Sequence, residues 1–255
     1  MSLPQPRLSP HVRQSTDSDV AAIHEWLQEQ DDAGVHGTFN CNWGLTKQSH
    51  DEGRLLVYVD PESQAPVAYQ WGGLVVPGIL EVRNDMRGRG IGQVLVEHCL
   101  ALAAQEKEHI LRVQCKPSTS IPFWQRMGFQ LTAGSNSREN YAMRLMQEKL
   151  ELPDDGEPVE VVLEWFPERR EWKDAAPAAS RHEVRGKLLD GEVWLEERVL
   201  GLRRIEDGDA VLQVTVNGKE WYCDKAKYEE AEDLGVERCL NGFFIEFLYE
   251  PASSA

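Results

Sequence analysis

No run of the chain is apolar for anything near the ~20 residues that span a bilayer, and residues 1–10 lack the apolar centre of a secretion signal. The expectation is a protein that does not enter a membrane and works in the cytoplasm. Cysteine is scarce and irregular: Cys41, Cys99, Cys115, Cys223 and Cys239 make an odd set with no Cys-x-x-Cys pair. Reduced thiols fit that spacing better than a disulfide frame or a zinc site, so no metal centre is expected. Positive charge is in deficit. Lys and Arg number 27 against 43 Asp and Glu, a formal net charge of −16. Such a surface repels a phosphate backbone, which speaks against general nucleic-acid binding. Hydrophobic residues nonetheless make up 41% of the 255, enough to bury a core and to exclude a disordered or collagen-like chain.

The charge is unevenly spread. Residues 1–150 hold 14 Lys and Arg against 17 Asp and Glu, whereas residues 151–255 hold 13 against 26. The acidic part attracts a cationic partner such as a polyamine or a Lys-rich protein tail, or it is simply a solvated surface. Between the parts lies Glu151-Leu-Pro-Asp-Asp-Gly-Glu-Pro158, which breaks both helical and strand patterns. The expected organisation is a Pro-rich tail over 1–10, one domain over 11–150, a linker over 151–158 and a second domain over 159–250. No internal repeat relates the two.

In the first domain, residues 11–15 read as a strand, and Thr16-x-x-Asp19 reads as a helix-capping box with Asp in the usual Glu place. Val20, Ile23, Trp26 and Leu27 then give a helical stripe. Residues 32–50, with Gly34, Gly37 and Gly44, read as a loop with a broken helix. Strands are expected over 54–60, 66–74 and 78–84. The next segment, Arg83-Asn-Asp-Met-Arg-Gly-Arg-Gly-Ile-Gly92, is rich in glycine and arginine and opens a helix whose apolar face carries Ile91, Val94, Leu95, Cys99 and Leu102. A strand over 110–114 follows, completing a strand–helix–strand crossover.

That glycine turn has two readings. Glycines at a helix start permit positive φ and close backbone approach. The first N–H groups of the helix have no internal partner, and its N-terminal end is partly positive. Gly88, Gly90 and Gly92 flanked by Arg87 and Arg89 therefore suit a phosphate or pyrophosphate. Otherwise they are a tight structural turn. A P-loop is excluded because Gln93 stands where Lys is needed. The dinucleotide fingerprint G-x-G-x-x-G is excluded by the spacing Gly88-x-Gly90-x-Gly92.

Val82-x-x-x-x-Arg87-x-x-Gly90-x-Gly92 resembles the acyl-CoA signature of the GNAT superfamily of N-acyltransferases. Ile121-Pro-Phe-Trp-Gln-Arg-Met-Gly-Phe129 resembles that family's later signature, a helix ending in Gly-Phe. Tyr141-Ala-Met143 resembles its last strand, and Val12-Arg13 with Asp19 its opening strand and helix. The resemblance covers roughly residues 11–148. It implies an α/β (α+β) mixed sheet with flanking helices, in which the fourth and fifth strands splay into a V. It implies acetyl-CoA as acyl donor, its diphosphate on the amides of Arg87, Gly88, Arg89, Gly90, Ile91 and Gly92. The pantetheine would lie against the backbone of Leu80 and Val82. The reaction implied is direct attack of a primary amine, on a small molecule or a protein, on the thioester.

The chain departs from that pattern where the family often has a Tyr to protonate the leaving thiolate: Phe123 is followed by Trp124, whose indole is not a useful acid. Three routes stay open: another group such as Ser118, Ser120 or Tyr141, protonation by water, or a domain that binds CoA without efficient catalysis, as a sensor or interaction protein. For the base, Glu81 is the one carboxylate of the fourth strand, facing opposite to Leu80 and Val82 by alternation. It is either catalytic or a solvated strand residue. His36, Cys41, Trp43 and Tyr69 are candidates for the acceptor pocket, and Cys115 reads as an inert buried thiol.

The second domain reads as a smaller β-rich unit of no recognised family. Asp190-Gly191, Asp207-Gly208, Asn217-Gly218 and Asn241-Gly242 are turn signals between strand-like runs, and residues 224–234 read as a helix. Trp165, Trp172, Trp194 and Trp221 are expected in its core. The acceptor is expected to be an amine, with the acidic charge favouring a cationic one, and a homodimer is compatible with the sequence.

Overall fold

The computed structural model describes residues 3–35, 37–74, 76–132, 140–168, 177–205 and 208–251. The chain divides into two compact units, Met1–Arg144 and Leu145–Ala255.

The first unit is built on two sheets. A four-stranded antiparallel sheet runs in the order β1 (Val12–Gln14), β2 (Leu55–Val59), β3 (Pro66–Trp71), β4 (Ile79–Val82). A three-stranded sheet has the order β5 (Ile110–Gln114), β7 (Tyr141–Leu145), β6 (Gln130–Leu131). Helix α1 (Asp17–Asp32) begins with the expected capping box: Asp19 N donates to Thr16 Oγ1, and Thr16 N donates to the Asp19 carboxylate at 2.8 Å. Its stripe of Val20, Ile23, Trp26 and Leu27 is buried against Leu55, Val57, Tyr69 and Trp71. Three further helices follow, α2 (Trp43–Asp51), α3 (Ile91–Gln105) and α4 (Ile121–Arg126).

The expected loop with a broken helix over 32–50 resolves into a loop, a single 3-10 turn over Asn40–Asn42 and then α2, which runs on to Asp51. The inward positions of α2 include the polar residues Thr46 and Ser49, so its buried face leaves no apolar period in the sequence. The Pro-rich N-terminal segment is held to the first unit by its backbone. Pro4 is buried and its carbonyl accepts from the buried guanidinium of Arg144 at 2.7 Å, while Arg7 N donates to Glu97 O and Ser9 N to His98 Nδ1.

The second unit is dominated by a seven-stranded antiparallel sheet. The strands are β8 (Glu157–Phe166), β9 (Ser180–Leu189), β10 (Glu192–Leu202), the short pair β11 (Arg204–Ile205) and β12 (Gly208–Asp209), β13 (Val211–Val216), β14 (Lys219–Lys225), β15 (Glu237–Cys239) and β16 (Gly242–Tyr249), with α5 (Glu229–Asp233) before β15. The large sheet runs β14-β13-β8-β9-β10-β16-β15. The turns Asp190-Gly191 and Asn217-Gly218 have positive φ at both residues, the geometry that matches a two-residue hairpin to strand twist. Asp207, of the expected Asp207-Gly208 turn, lies outside the described residues, as does Trp172.

The helix expected over 224–234 is confined to α5, because Asp224 and Lys225 pair with Leu212 and Val211 in the sheet. The unit also begins earlier than the expected linker. Arg198 is buried and reaches Glu148, Glu246 and the carbonyl of Met146. Leu150 N donates to Glu196 O, and Lys187 Nζ to the carbonyls of Pro153 and Asp154. These bonds bind residues 146–154 to β9 and β10. Of the tryptophans, Trp165 is fully buried, Trp221 packs half-buried against the core, and Trp194 is 39% exposed, contrary to expectation.

Trp165 stacks on Phe243 with centroids 6.0 Å apart, and a Cβ added at Gly201 would overlap its indole. Gly201→Ala is therefore expected to destabilise the second unit by about 3 kcal/mol through overpacking, read as a lower urea midpoint. An unchanged midpoint would mean that Trp165 is free to shift.

Candidate functional site

The site begins with the end of β4. Arg83 N donates to Val67 O on β3 at 2.9 Å. In an antiparallel ladder, alternate residues bond to one neighbour. Ile79 and Glu81 share the register of Arg83 and turn their main-chain groups to β3, whereas Leu80 and Val82 turn theirs to the opposite edge. Among the described residues no strand pairs with that edge, since β5 belongs to the other sheet. The β5 strand meets the chain earlier, where Arg112 N donates to Leu74 O. The separation of β4 and β5 opens a cleft of about 780 Å³, lined by Leu80, Glu81 and Val82 on one side and Val113 and Gln114 on the other.

At one side of the cleft stands the start of α3. Gly90 precedes the helix with φ +82°, and no side chain caps it. A Cβ at Gly88 or Gly90 would meet nothing within 4 Å, so both glycines face open space as well as needing positive φ. Gly92 differs. Its φ is not positive, but its Cβ would come to 3.3 Å from the Phe123 ring and 3.7 Å from Val82. It serves close packing of α3 against α4 and β4, while Gly88 and Gly90 leave room for a ligand over the first N–H groups of the helix. Arg87 lines the cleft and its Nε donates to Val82 O at 3.0 Å. Arg89 is exposed and is not among the residues lining the cleft.

On the other face of β4 is Glu81, 3% exposed. Its Oε2 accepts from Phe39 N at 3.0 Å and from the Tyr69 hydroxyl at 3.1 Å, and its Oε1 is buried without a partner. Burial pushes the carboxyl pKa above the usual carboxylate range, against the pull of Phe39 N–H, the Tyr69 hydroxyl and Arg87. Burial and the neighbouring Glu81 hold Tyr69 well above its ordinary value, so it remains a donor. A carboxyl with a raised pKa and a free oxygen in a cleft has the character of a general base.

Ser120 also lines the cleft, with its Oγ buried and unpartnered. Tyr141 is not among the lining residues; the Arg112 guanidinium lies 4.2 Å from its ring centre. The expectation of a catalytic Tyr141 thus finds no support in its placement. Trp124 is buried edge-on between Phe123 and Phe129. Among the acceptor-side candidates, Tyr69 acts through Glu81, Trp43 stacks on His24 at 4.3 Å, and neither Trp43 nor Cys41 lines the cleft. His36 lies outside the described residues. Burial raises the pKa of the Cys115 thiol, as suits an inert packing residue.

Sequence reasoning missed several lining residues. Phe39 contributes through its backbone N–H, which no side-chain pattern marks. Gln70 is buried with its Nε2 bonded to the carbonyls of Trp71 and Gly73 and its Oε1 unpartnered. A lone amide inside an apolar strand was the one available signal. Leu45, Trp71 and Lys116 also line the cleft and lie outside the quoted motifs. Among the described residues no cluster of His, Cys, Asp and Glu could hold a metal, and no helix is long and apolar enough to cross a membrane.

Residues 50–131 match the family model of an acetyltransferase (GNAT) domain. Solved structures similar to the chain include a GNAT-family acetyltransferase from Listeria monocytogenes, at 14% identity and a TM-score of 0.41, covering 52% of this chain and 93% of that one. A GCN5-related N-acetyltransferase from Kribbella flavida is 18% identical with a TM-score of 0.39, covering 52% and 96%. A PaiA N-acetyltransferase from Thermoplasma acidophilum in complex with coenzyme A is 13% identical with a TM-score of 0.40, covering 54% and 99%. No curated protein matches the chain.

If the open space over this helix start seats the diphosphate of acetyl-CoA, Gly90→Val is expected to weaken acetyl-CoA binding by about two orders of magnitude. A branched side chain would fill the space over the helix start, and a β-branched residue at positive φ is strained by about 1–2 kcal/mol. Calorimetry on protein shown to be folded by its melting curve checks this. Wild-type affinity would remove the glycine turn from the binding site.

Proposed function

We propose, from the premise that the first unit carries an acetyltransferase (GNAT) domain, that this protein transfers an acetyl group from acetyl-CoA to a primary amine. The observation that carries the reading is a single cleft joining an uncapped, glycine-opened helix start to a buried carboxyl with one free oxygen.

The start of α3 holds the diphosphate, with Arg87 adding positive charge beside it. The outward main-chain groups of Leu80 and Val82 offer an unpaired strand edge to the amide groups of the pantetheine arm. The Val82 carbonyl is already engaged by Arg87, which leaves the Leu80 carbonyl and the N–H groups of Leu80 and Val82 for the ligand. One of these N–H groups can polarise the thioester carbonyl.

Glu81 Oε1 accepts a proton from the substrate ammonium, directly or through one water. The amine nitrogen then attacks the thioester carbon. As the tetrahedral intermediate collapses, the C–S bond breaks and the sulfur leaves as thiolate. The nitrogen then holds one proton too many; that surplus proton passes to the thiolate or to solvent, and the other N–H stays on the new amide. Ser120 Oγ–H is placed to donate a hydrogen bond to the departing sulfur or to relay a proton from water. Because Oε2 of Glu81 is held by Phe39 N–H and Tyr69, the carboxyl is oriented while its other oxygen remains available.

Glu81→Gln separates catalysis from architecture, since the amide oxygen can still accept both bonds. Turnover is expected to fall about 10²–10⁴-fold, with loss of the rising limb of the kcat–pH profile. In the wild type that limb should lie above the usual carboxylate range. Stability should move the other way. The folded state holds the Glu81 proton more tightly than the unfolded chain, so ionisation costs stability as pH rises above the unfolded value. The variant should match or exceed the wild-type Tm at neutral pH. Acetyl-CoA binding without thiol release against any amine would instead favour a CoA sensor.

A further inference from the structure

We infer that the acceptor is a primary monoamine on an uncharged, apolar body, and not a polyamine or a lysine side chain within a basic protein tail. This rests on the acetyltransferase reading and narrows its substrate class, in opposition to what the net charge suggests.

The two faces of β4 divide the cleft. Leu80 and Val82 face the α3 side with Gly92, whose ideal Cβ lies 3.7 Å from Val82. By strand alternation and the register Trp71↔Ile79 and Tyr69↔Glu81, Trp71, Ile79 and Glu81 share the opposite face. Phe39 N bonds Glu81 on this face, and Asn42 and Leu45, which also line the cleft, follow it in the segment leading into and beginning α2. Together these residues bring one carboxyl, one amide and four apolar side chains to the acceptor side. Leu45 is 49% exposed, an apolar group at a polar-facing surface that a substrate body would cover.

Charge gives the second argument. The chain carries 43 acidic residues, yet Glu81 is the single acid among the described residues lining the cleft, and the cations Arg87, Lys116 and Arg126 line it too. The free oxygen of Glu81 receives one ammonium. A second ammonium on the same molecule would have to leave water against Phe39, Leu45, Trp71 and Ile79 with no carboxylate to receive it, and an unpaired buried charge is strongly disfavoured. A neutral apolar body meets the same walls favourably.

The test compares kcat/KM, by thiol release with acetyl-CoA, for 2-phenylethylamine, spermidine and a lysine-rich peptide, in the wild type and in Leu45→Glu. Expected is a preference for 2-phenylethylamine of at least about tenfold over the other two, the scale on which pocket contacts discriminate. Leu45→Glu, at a half-exposed position where an acid is tolerated, should shift the ratio towards spermidine by about tenfold. Preference of the wild type for spermidine or the peptide overturns the inference and leaves the acetyltransferase reading intact, and so does a ratio unmoved by Leu45→Glu. If protein that binds acetyl-CoA turns over none of the three, the acetyltransferase reading falls and the inference with it.

Discussion

A strand edge without a strand beside it organises the first unit. β4 is only four residues long and, among the described residues, pairs with β3 alone. Unpaired main-chain groups inside a fold must find partners, and here one is met from within: Arg87 closes on the carbonyl of Val82. The groups of Leu80 remain for a ligand. The same pleat that turns these groups outward sends the side chains of Leu80 and Val82 towards α3 and that of Glu81 towards α2. One short strand thereby supplies a ligand edge, an apolar wall and a buried carboxyl. A one-residue slip against β3 would exchange all three assignments.

Much of the architecture was legible because its signals are local. The capping box of α1, the strand β5 and the hairpins at Asp190-Gly191 and Asn217-Gly218 are each specified by a few adjacent residues. The glycine turn at the start of α3 was legible for the same reason, although Gly92 shows how far motif reading goes: a Cβ there would press on Phe123, a residue 31 positions later in the chain. What stayed hidden is set by tertiary contact. α2 buries Thr46 and Ser49, so its inward face looks polar. Residues 151–158 read as a linker because Pro and Gly interrupt them, yet the half-buried Lys187 binds the carbonyls of Pro153 and Asp154, and strand β8 already begins at Glu157. Glu81 was readable as a strand carboxylate; its burial and its partner Phe39 N–H were not.

The acidic composition and the cleft belong to different scales. Net charge governs solubility and long-range attraction, and acts on any cation near the surface. Selection of whatever enters the cleft depends on the groups within contact distance, and among the described lining residues apolar carbon outnumbers acid. A surface can draw in cations while a pocket disfavours a second charge, because desolvation acts only on what enters.

Trp124 completes the same logic from the other side. In the six-residue α4 it packs edge-on against Phe123 and Phe129, and Phe123 in turn bounds the space that Gly92 leaves open. Trp124 lines the cleft, but its ring is buried against Phe123 and Phe129, and an indole N–H is not a useful acid. On the proposed acyl transfer, the burden of protonating the thiolate would pass to a group that lines the cleft and has no other hydrogen-bond partner. Ser120 meets both conditions, at the turn immediately before α4, with its hydroxyl buried and unpartnered. A thiolate is a tolerable leaving group and needs a hydrogen bond more than a strong acid, so a serine and a water can do what a tyrosine does elsewhere, provided the cleft admits that water from the side opposite the apolar acceptor walls.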